Sequence, residues 1–409
     1  MKGAIQMSNL ENYMKRQAIF CEQNDSISKN LYSEYGVKRG LRDEKGQGVL
    51  TGLTNISDIK AFEYRDGVKS PCDGELSYRG YNIKDLVTGS KGKRFVFEEG
   101  AYLLLFGELP TDTQLMEFQG RLSDCMELPT NFTRDVIMKA PTSDIMGSMT
   151  RSILTLGSYD KEKESLGIPN VLRQSMQLIA VFPMLAVYAY HAYCHYEKNE
   201  SMYIHRPEKD LSIAENFLRL LRPDTKFTEL EARVLDIALL LHMEHGGGNN
   251  STFTTRVVTS SGSDTYSVIS AAMSSLKGKK HGGANLMVMN MMDDIKSHVK
   301  DYEDEEEIAS YLSKIMKKEA FDQKGLIYGM GHAVYSISDP RERVFKGFVE
   351  QLARDKGREK DMTLYNNIEK IAPKLIAKQR QIFKGVSPNI DFYSGFVYDM
   401  LNKIGRAHV

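Results

Sequence analysis

The stretch TELEARVLDIALLLH, from Thr228 to His242, decides the fold class of this chain. Its apolar side chains recur every three or four positions, which is the period of a helix with one buried face. They are Leu230, Val234, Leu235, Ala238 and Leu241. Thr228 and Glu231 form a capping-box pattern, in which each side chain accepts a hydrogen bond from the backbone at the helix start. The stretch therefore predicts a helix that continues to about Met243.

The segments that follow also have helical patterns. Asp264 or Ser263 can cap a helix that ends near Gly278. Another helix is predicted after Gly282 and Gly283, through ANLMVMNMMDDIKSHV. The charged stretch KDYEDEEEIASYLSKIMKKEA has acids toward its start and lysines toward its end, as the dipole of an exposed helix favours. Strand signals are scarce, so the predicted fold is all-α.

Length and charge limit the classes of protein. The chain has 409 residues, which is long for a single hydrophobic core. This length predicts a large domain with a smaller companion domain. Lysine plus arginine and aspartate plus glutamate number 54 each, so no net charge attracts nucleic acid or an anionic membrane.

The apolar run from Leu178 to Tyr190 is too short to span a bilayer and contains Pro183, which favours a helix buried in the core or at a subunit interface. The N-terminus lacks a targeting signal and the four cysteines are scattered, so we expect a cytoplasmic protein.

Three of the nine histidines lie beside glycine, at positions where helices end or begin. They are His245 in EHGGGNNSTF, His281 in KHGGAN and His332 in GMGHAV. Glycine lets the backbone turn tightly and lets a ligand approach. His281 precedes a predicted helix, whose positive end favours a neutral imidazole that can donate a hydrogen bond to a developing enolate. The alternative for each histidine is a hydrogen bond to loop backbone.

Asp391 is the carboxylate candidate, in SPNIDFYSG. Its apolar neighbours can raise the pKa of the carboxyl and suit it to act as a general base. The alternative is an ordinary turn aspartate after Pro388 and Asn389. His242 and His245 are three residues apart, but no HExxH pattern exists, so a metal site is not favoured.

Together these segments resemble the citrate synthase family. GMGHAVYSISDPR, LHMEHGGGNNSTF, KHGGAN and PNIDFYSG are similar to its site segments, and LSYRGYNIKDLV and FEEGAYLLLFGELPT to other segments. The resemblance extends from about Asp73 to Gly395. It implies a large helical domain of residues 1–281, continuing at 393–409, and a small domain of residues 282–392. The site would lie in the cleft between them, and the small domain would close over it.

The resemblance implies catalytic roles for three residues. Asp391 would remove a proton from the methyl group of acetyl-CoA, and His281 would donate a hydrogen bond to the thioester carbonyl. His332 would polarise the ketone of oxaloacetate. The products would be citrate and CoA, after hydrolysis of citryl-CoA in the entry step of the tricarboxylic acid cycle.

It also implies supporting residues and partners. His245 and Arg341 would hold the carboxylates of oxaloacetate. Ser251 and Asn249 would support the residues that touch substrate, with Ser251 orienting His281. Acetyl-CoA and oxaloacetate would be substrates of a homodimer that needs no metal or redox cofactor.

The chain departs from the family pattern at two places. Ser336 stands where a basic residue often binds CoA phosphates, so other lysines such as Lys324 would have to serve. The family continues past FYSGFVYDMLNKI with a helical segment that carries two substrate arginines and part of the dimer interface, whereas this sequence ends in GRAHV. Because IGRAHV resembles a translated sequencing adapter, we expect a truncated sequence in which residues 405–409 are not native.

Three alternatives stay open at this point. A 2-methylcitrate synthase would use propionyl-CoA at the same site. A truncated, inactive binder of CoA or a dicarboxylate would need no base. A metallohydrolase would use the histidines as ligands.

Overall fold

The computed structural model describes residues 2–24, 27–38, 40–41, 51–90, 92–279, 281–332, 334–380 and 385–401. The chain forms two compact units, Met1–Thr51 and Gly52–Val409. The first unit contains helices α1 (Lys2–Gln23) and α2 (Lys29–Glu34), and the hydroxyl of Ser28 caps α2 by accepting from the backbone N–H of Asn30. The predicted division into residues 1–281 with 393–409 and residues 282–392 stays a prediction. The sequence end GRAHV lies outside the described residues.

The second unit is mostly helical, as predicted. Its first helices are α3 (Ile83–Thr88), α4 (Val96–Phe106), α5 (Asp112–Asp124), α6 (Ile145–Gly157), α7 (Ile168–Lys198) and α8 (Ile213–Leu221), with a π-helical segment at Thr133–Ile137. They are followed by α9 (Glu229–His242), α10 (Asn250–Ser260), α11 (Thr265–Leu276), α12 (Ala284–His298), α13 (Glu305–Met316), α14 (Pro340–Asp355), α15 (Glu359–Arg380) and α16 (Asp391–Met400).

The predicted helix starts are confirmed. Thr228 and Glu231 form the capping box of α9. Asp264 caps α11 through the backbone N–H of Ser267, and α12 begins directly after Gly283. The charged helix is α13, which has three glutamates in its first turn and Lys314 in its last. These local rules hold because each cap satisfies backbone groups that the helix itself leaves unpaired.

A small antiparallel sheet, which the all-α prediction omitted, precedes α3. Strands β1 (Ser57–Arg65) and β2 (Val68–Tyr78) form a hairpin, and the short β3 (Tyr81–Asn82) pairs with the end of β2. Asp66 and Gly67 form the turn with φ of 52° and 78°, the left-handed conformations that an Asp-Gly hairpin turn requires. This dipeptide was the sequence signal for the hairpin.

Two hydrophobic clusters form the core of the second unit. One joins the hairpin to α3, α9 and α12 through α16, and the other packs α5, α6, α8 and α11 around α7. By length and composition alone α7 could cross a membrane, but 56% of its most apolar window is buried inside the protein. The predicted burial of the run from Leu178 to Tyr190 is thus confirmed, with Pro183 inside the helix.

Candidate active site

The turn after α9 presents His245. The carboxylate of Glu244 accepts hydrogen bonds from the backbone N–H groups of His245 (3.0 Å) and Gly247 (2.9 Å). Ser57, at the start of β1, donates to the same carboxylate (3.2 Å) and accepts from the N–H of Gly246 (2.8 Å). Gly246 has φ of 71°, and a Cβ there would lie 2.4 Å from the side chain of Ile59. The turn is therefore fixed by residues that local sequence patterns did not single out.

His245 lies beside two other aromatic side chains. Its Nε2 atom is 3.0 Å from the hydroxyl of Tyr335, and its ring meets that of His332 edge to face with centroids 5.1 Å apart. Burial lowers the pKa of His245 to about 3, and the charges of Arg341 and His332 add to this shift. The imidazole is therefore neutral near pH 7.

His332 has a defined tautomer. Its Nδ1 atom accepts hydrogen bonds from the backbone N–H groups of Val334 (3.0 Å) and Tyr335 (3.3 Å). Burial lowers the pKa of His332 to about 4, so a single proton remains on the ring. Because Nδ1 is an acceptor, that proton lies on Nε2, which is left to donate to a ligand.

His281 has the opposite tautomer. Its Nε2 atom accepts from the backbone N–H of Ser251 (3.3 Å) and lies 3.0 Å from the hydroxyl of the same residue. Burial lowers the pKa of His281, so the ring is neutral with its proton on Nδ1. The hydroxyl hydrogen of Ser251 is shared between Nε2 of His281 and the side-chain oxygen of Asn249 (2.8 Å), which also caps α10. The predicted contact between Ser251 and His281 is thus present.

Asp391 is the first residue of α16. Its backbone N–H donates to the side chain of Asn389 (3.0 Å), while no described residue has a recorded hydrogen bond to its carboxylate. Burial raises the pKa of Asp391, and the charges of His242 and Arg341 oppose this shift. His242 donates from Nδ1 to the carbonyl of Ala238 (2.7 Å). Desolvation lowers the pKa of His242, and its ring lies close enough to Asp391 for the two groups to interact electrostatically, whereas the sequence indicated His242 only as a metal-ligand candidate.

The loop that carries His332 is bound directly to the loop that carries Asp391. The N–H of Gly331 donates to the carbonyl of Ser387 (2.7 Å), and the N–H of Asn389 donates to the carbonyl of Gly329 (2.9 Å). The side-chain amide of Asn389 also donates to the carbonyl of Gly331 (2.7 Å). Gly329 has φ of 81°, and a Cβ there would lie 3.0 Å from Phe392. The two loops therefore form one hydrogen-bonded piece.

Arg341 is oriented by Asp339, which the sequence analysis did not single out. Its Nε and Nη2 atoms donate to the two carboxylate oxygens at 3.1 Å and 2.8 Å. Asp339 is fully buried and also accepts from the N–H of Ile390 (3.3 Å). A guanidinium has five N–H donors, so the outer edge of Arg341, formed by Nη1 and the remaining N–H of Nη2, is left to bind a second carboxylate.

A cavity of about 320 Å³ opens beside His332. Its lining residues are Phe62, Leu326, Ile327, Met330, Gly331, His332, Val334, Tyr335, Ser336, Ile376, Arg380, Gly385 and Val386. Among the described residues that line it, Arg380 is the cationic one, and Lys324 is not part of the lining. Arg380 is therefore the basic group of this cavity, and the phosphate-binding role expected of Lys324 stays a prediction.

The structure thus joins most of the predicted residues by contacts. One cluster contains His245, His332 and Arg341. The hydrogen bonds between the two loops bring Asp391 next to this cluster. His281 is linked to this place through α12, because Asn285 donates to Ser394 of α16 (2.5 Å). Within the described ranges, no three His, Cys, Asp or Glu side chains converge as metal ligands.

Comparison with known proteins agrees with this arrangement. Residues 43–404 match the family model described as citrate synthase, C-terminal domain. The citrate synthase of Synechocystis is 33% identical over 357 residues, which cover 86% of this chain and 80% of that protein. The 2-methylcitrate synthase of Shewanella oneidensis is 32% identical over 80% of this chain and 78% of that protein.

Solved structures give the same result. The citrate synthase of Pyrobaculum aerophilum superimposes with a TM-score of 0.71 and 26% identity, over 91% of this chain and 89% of that one. The Thermoplasma acidophilum citrate synthase, in a ternary complex with carboxymethyl coenzyme A and oxaloacetate, gives a TM-score of 0.72 and 25% identity, over 90% of this chain and 88% of that one. The present chain belongs to the citrate synthase family, a family of acyltransferases.

Proposed function

We propose that this chain condenses acetyl-CoA with oxaloacetate and hydrolyses the resulting citryl-CoA to citrate and CoA. The observation that carries the proposal is the pair of neutral histidines with opposite tautomers. Backbone N–H groups occupy Nε2 of His281 and Nδ1 of His332, which leaves Nδ1–H and Nε2–H as donors. Such fixed neutral donors stabilise oxygen atoms that become negative during a reaction.

Asp391 is the base of the first step. Its raised pKa makes the carboxylate a stronger proton acceptor than an exposed aspartate, and its oxygens are not occupied by recorded donors from the described residues. It takes a proton from the acetyl methyl group while Nδ1–H of His281 donates to the thioester carbonyl oxygen. The product of this step is an enolate held by a neutral hydrogen bond.

His332 and Arg341 serve the second substrate. The enolate carbon attacks the ketone carbon of oxaloacetate, and Nε2–H of His332 gives its proton to the ketone oxygen as the carbon–carbon bond forms. The proton that Asp391 took from the methyl group is given back during the hydrolysis, which restores the Asp391 carboxylate and the neutral His332. The outer edge of Arg341 binds one carboxylate, and His245 lies beside the same position. Water then cleaves the thioester of citryl-CoA, which releases citrate and the CoA thiol.

The substrate assignment has two supports. The Thermoplasma acidophilum relative is described with carboxymethyl coenzyme A and oxaloacetate bound. In the present chain, the cavity beside His332 combines apolar walls with Arg380, a combination that suits an acyl-CoA arm and its phosphates. Homodimer formation, a cytoplasmic location and catalysis without metal or redox cofactor are part of the proposal.

A 2-methylcitrate synthase is the second candidate. Relatives with either activity in their names match this chain almost equally, at 33% and 32% identity. The two acyl substrates differ by one methylene, which an apolar pocket distinguishes by about 1–3 kcal/mol.

The test is thiol release from acetyl-CoA and from propionyl-CoA, each with and without oxaloacetate. We expect release that requires oxaloacetate and a higher kcat/KM for acetyl-CoA. A higher value for propionyl-CoA would establish the second candidate instead. A folded chain that binds oxaloacetate, measured by calorimetry, and releases no thiol from either substrate would contradict both.

A further inference from the structure

We infer that Tyr335 is a positioning residue that sets the tautomer of His245 and so determines which ring nitrogen carries the proton that can be donated to oxaloacetate. The inference rests on the proposed function for its substrate and on the hydrogen-bond geometry for the tautomer. Neither the motif comparison nor the mechanism above assigns a role to this tyrosine.

The ring of Tyr335 packs against the rings of both His245 and His332. It is 2% exposed, its centroid lies 4.9 Å from that of His332 at an interplanar angle of 35°, and it lies 5.4 Å from that of His245. Gly74 of β2 makes room for the ring, because a Cβ at that position would lie 2.6 Å from its Cδ1 atom. The backbone N–H of Gly74 also donates to Ser338 (3.1 Å). The hairpin therefore packs closely against the Tyr335 ring.

The direction of the hydrogen bond follows from burial. The hydroxyl of Tyr335 lies 3.0 Å from Nε2 of His245, and the described residues provide no other recorded partner for it. If Nε2–H donated to the oxygen, the hydroxyl hydrogen would be buried without an acceptor, which is costly. Donation from the hydroxyl to Nε2 satisfies both groups. His245 is neutral, so its proton is then on Nδ1.

This assignment gives Tyr335 a defined effect on substrate binding. A neutral imidazole without the phenol could exchange its proton between the two nitrogens, and only one arrangement presents a donor to a carboxylate at a given edge. The hydroxyl removes that freedom before the substrate arrives. The effect should fall on oxaloacetate rather than on the thioester, because Tyr335 contacts His245 and not His281.

The experiment uses the whole chain labelled with ¹⁵N-histidine. Two-dimensional NMR distinguishes protonated from unprotonated ring nitrogens, and single His→Gln variants assign the signals. We expect Nδ1 of His245 to be protonated in the wild type and the proton to be shared between both nitrogens in Tyr335→Phe. KM for oxaloacetate should rise about tenfold in this variant, the worth of one neutral hydrogen bond, with KM for the thioester nearly unchanged.

Tyr266→Phe is the matched control. Tyr266 is equally buried, in the hydrophobic cluster around α7, and its hydroxyl donates to Asp160 (2.8 Å). The Tyr266→Phe variant should have a lower free energy of unfolding. It should leave the NMR signals of His245 and the ratio of the two KM values unchanged. A wild-type His245 protonated on Nε2, or an unchanged tautomer in Tyr335→Phe, would overturn the inference. The wild-type spectrum decides this point even if the variant does not fold or the chain has no turnover, while absent turnover would count against the proposed function alone.

Discussion

Asp236 and Asp391 each place a carboxyl group at the N-terminus of a helix, but the groups around the two carboxyls differ. Asp236 extends from α9 to the start of α4, where its two oxygens accept from the backbone N–H groups of Val96 (3.0 Å) and Phe97 (2.9 Å). Phe95, which precedes α4, has no polar side chain for this purpose, so the cap comes from another helix. Asp391 begins α16 itself, and its carboxylate has no recorded donor within the described part of the chain.

Burial raises the pKa of both carboxyls, to about 7 for Asp236. The difference lies in what the oxygens do. Those of Asp236 are used by the fold, which makes this residue part of the scaffold. Those of Asp391 accept no hydrogen bond from a described residue, which leaves a partly buried acid with few compensating contacts. The comparison suggests that a missing hydrogen bond is a better sign of function here than a raised pKa.

The sharpest test of this difference is Asp391→Asn. Loss of the base should lower kcat by about 10³-fold, within the range for general base catalysis, and should leave oxaloacetate binding intact. The raised pKa means that the folded state prefers the protonated carboxyl, so ionisation costs stability that grows as pH rises from about 4 toward the folded pKa. The amide removes this cost, and the variant should melt at a higher temperature at pH 7.

Thiol release and thermal unfolding measure these two effects on one preparation. Asp58→Asn, a change at an exposed carboxylate of β1, is the control and should alter neither. Turnover close to that of the wild type in Asp391→Asn would remove Asp391 from the mechanism.

The converse prediction concerns Asp236→Asn. The amide keeps one acceptor oxygen but turns an N–H₂ group toward a backbone N–H, so one buried donor of α4 loses its partner. We expect a loss of about 1–3 kcal/mol in the free energy of unfolding, measured with urea. Turnover per folded molecule should change little. A loss of activity like that of Asp391→Asn, without lower stability, would erase the distinction between the two aspartates.

The neutral histidines extend the comparison to acid pH. His332 has a pKa of about 4 in the folded chain against 6.5 when unperturbed, so the unfolded state binds a proton first as pH falls. The stability that the neutral ring contributes is present above pH 6.5 and is lost down to about pH 4. Relative to His332→Gln, the wild type should lose up to about 1.4 kcal/mol per pH unit in this window. Urea unfolding of both proteins at pH 7 and pH 5 gives the difference, and a constant difference would show that the ring is not kept neutral.

The smallest expected effect is that of Ser251→Ala. The backbone N–H of Ser251 continues to donate to Nε2 of His281, so the tautomer should persist in ¹⁵N spectra. Only the hydroxyl contact is lost, and kcat should fall by less than about tenfold, the worth of one neutral hydrogen bond. A loss as large as that of His281→Ala would mean that the hydroxyl, and not the backbone, orients the ring.

The helices and the glycine-flanked histidines could be predicted from the sequence because their patterns involve residues that are close along the chain. A capping box or an apolar stripe depends on residues three or four positions apart. Ser57 and Glu244 fix the His245 turn across 187 positions, and Tyr335 meets His245 across 90, so no spacing in the sequence indicates them. Asp339 lies only two positions from its partner Arg341. In the sequence, however, it has the pattern of an ordinary helix-capping aspartate, and only the structure shows that the ion pair is buried.

The hydrogen bonds between the His332 loop and the Asp391 loop have a consequence for how the gene can change. Helices α14 and α15 connect the two loops along the chain, yet the loops hold each other directly through Gly331, Ser387 and Asn389. Insertions or deletions in the exposed turn at Gly357, between these helices, can therefore accumulate without moving Asp391 away from His332. Diverging lineages could vary that turn freely while conserving the contact between the loops.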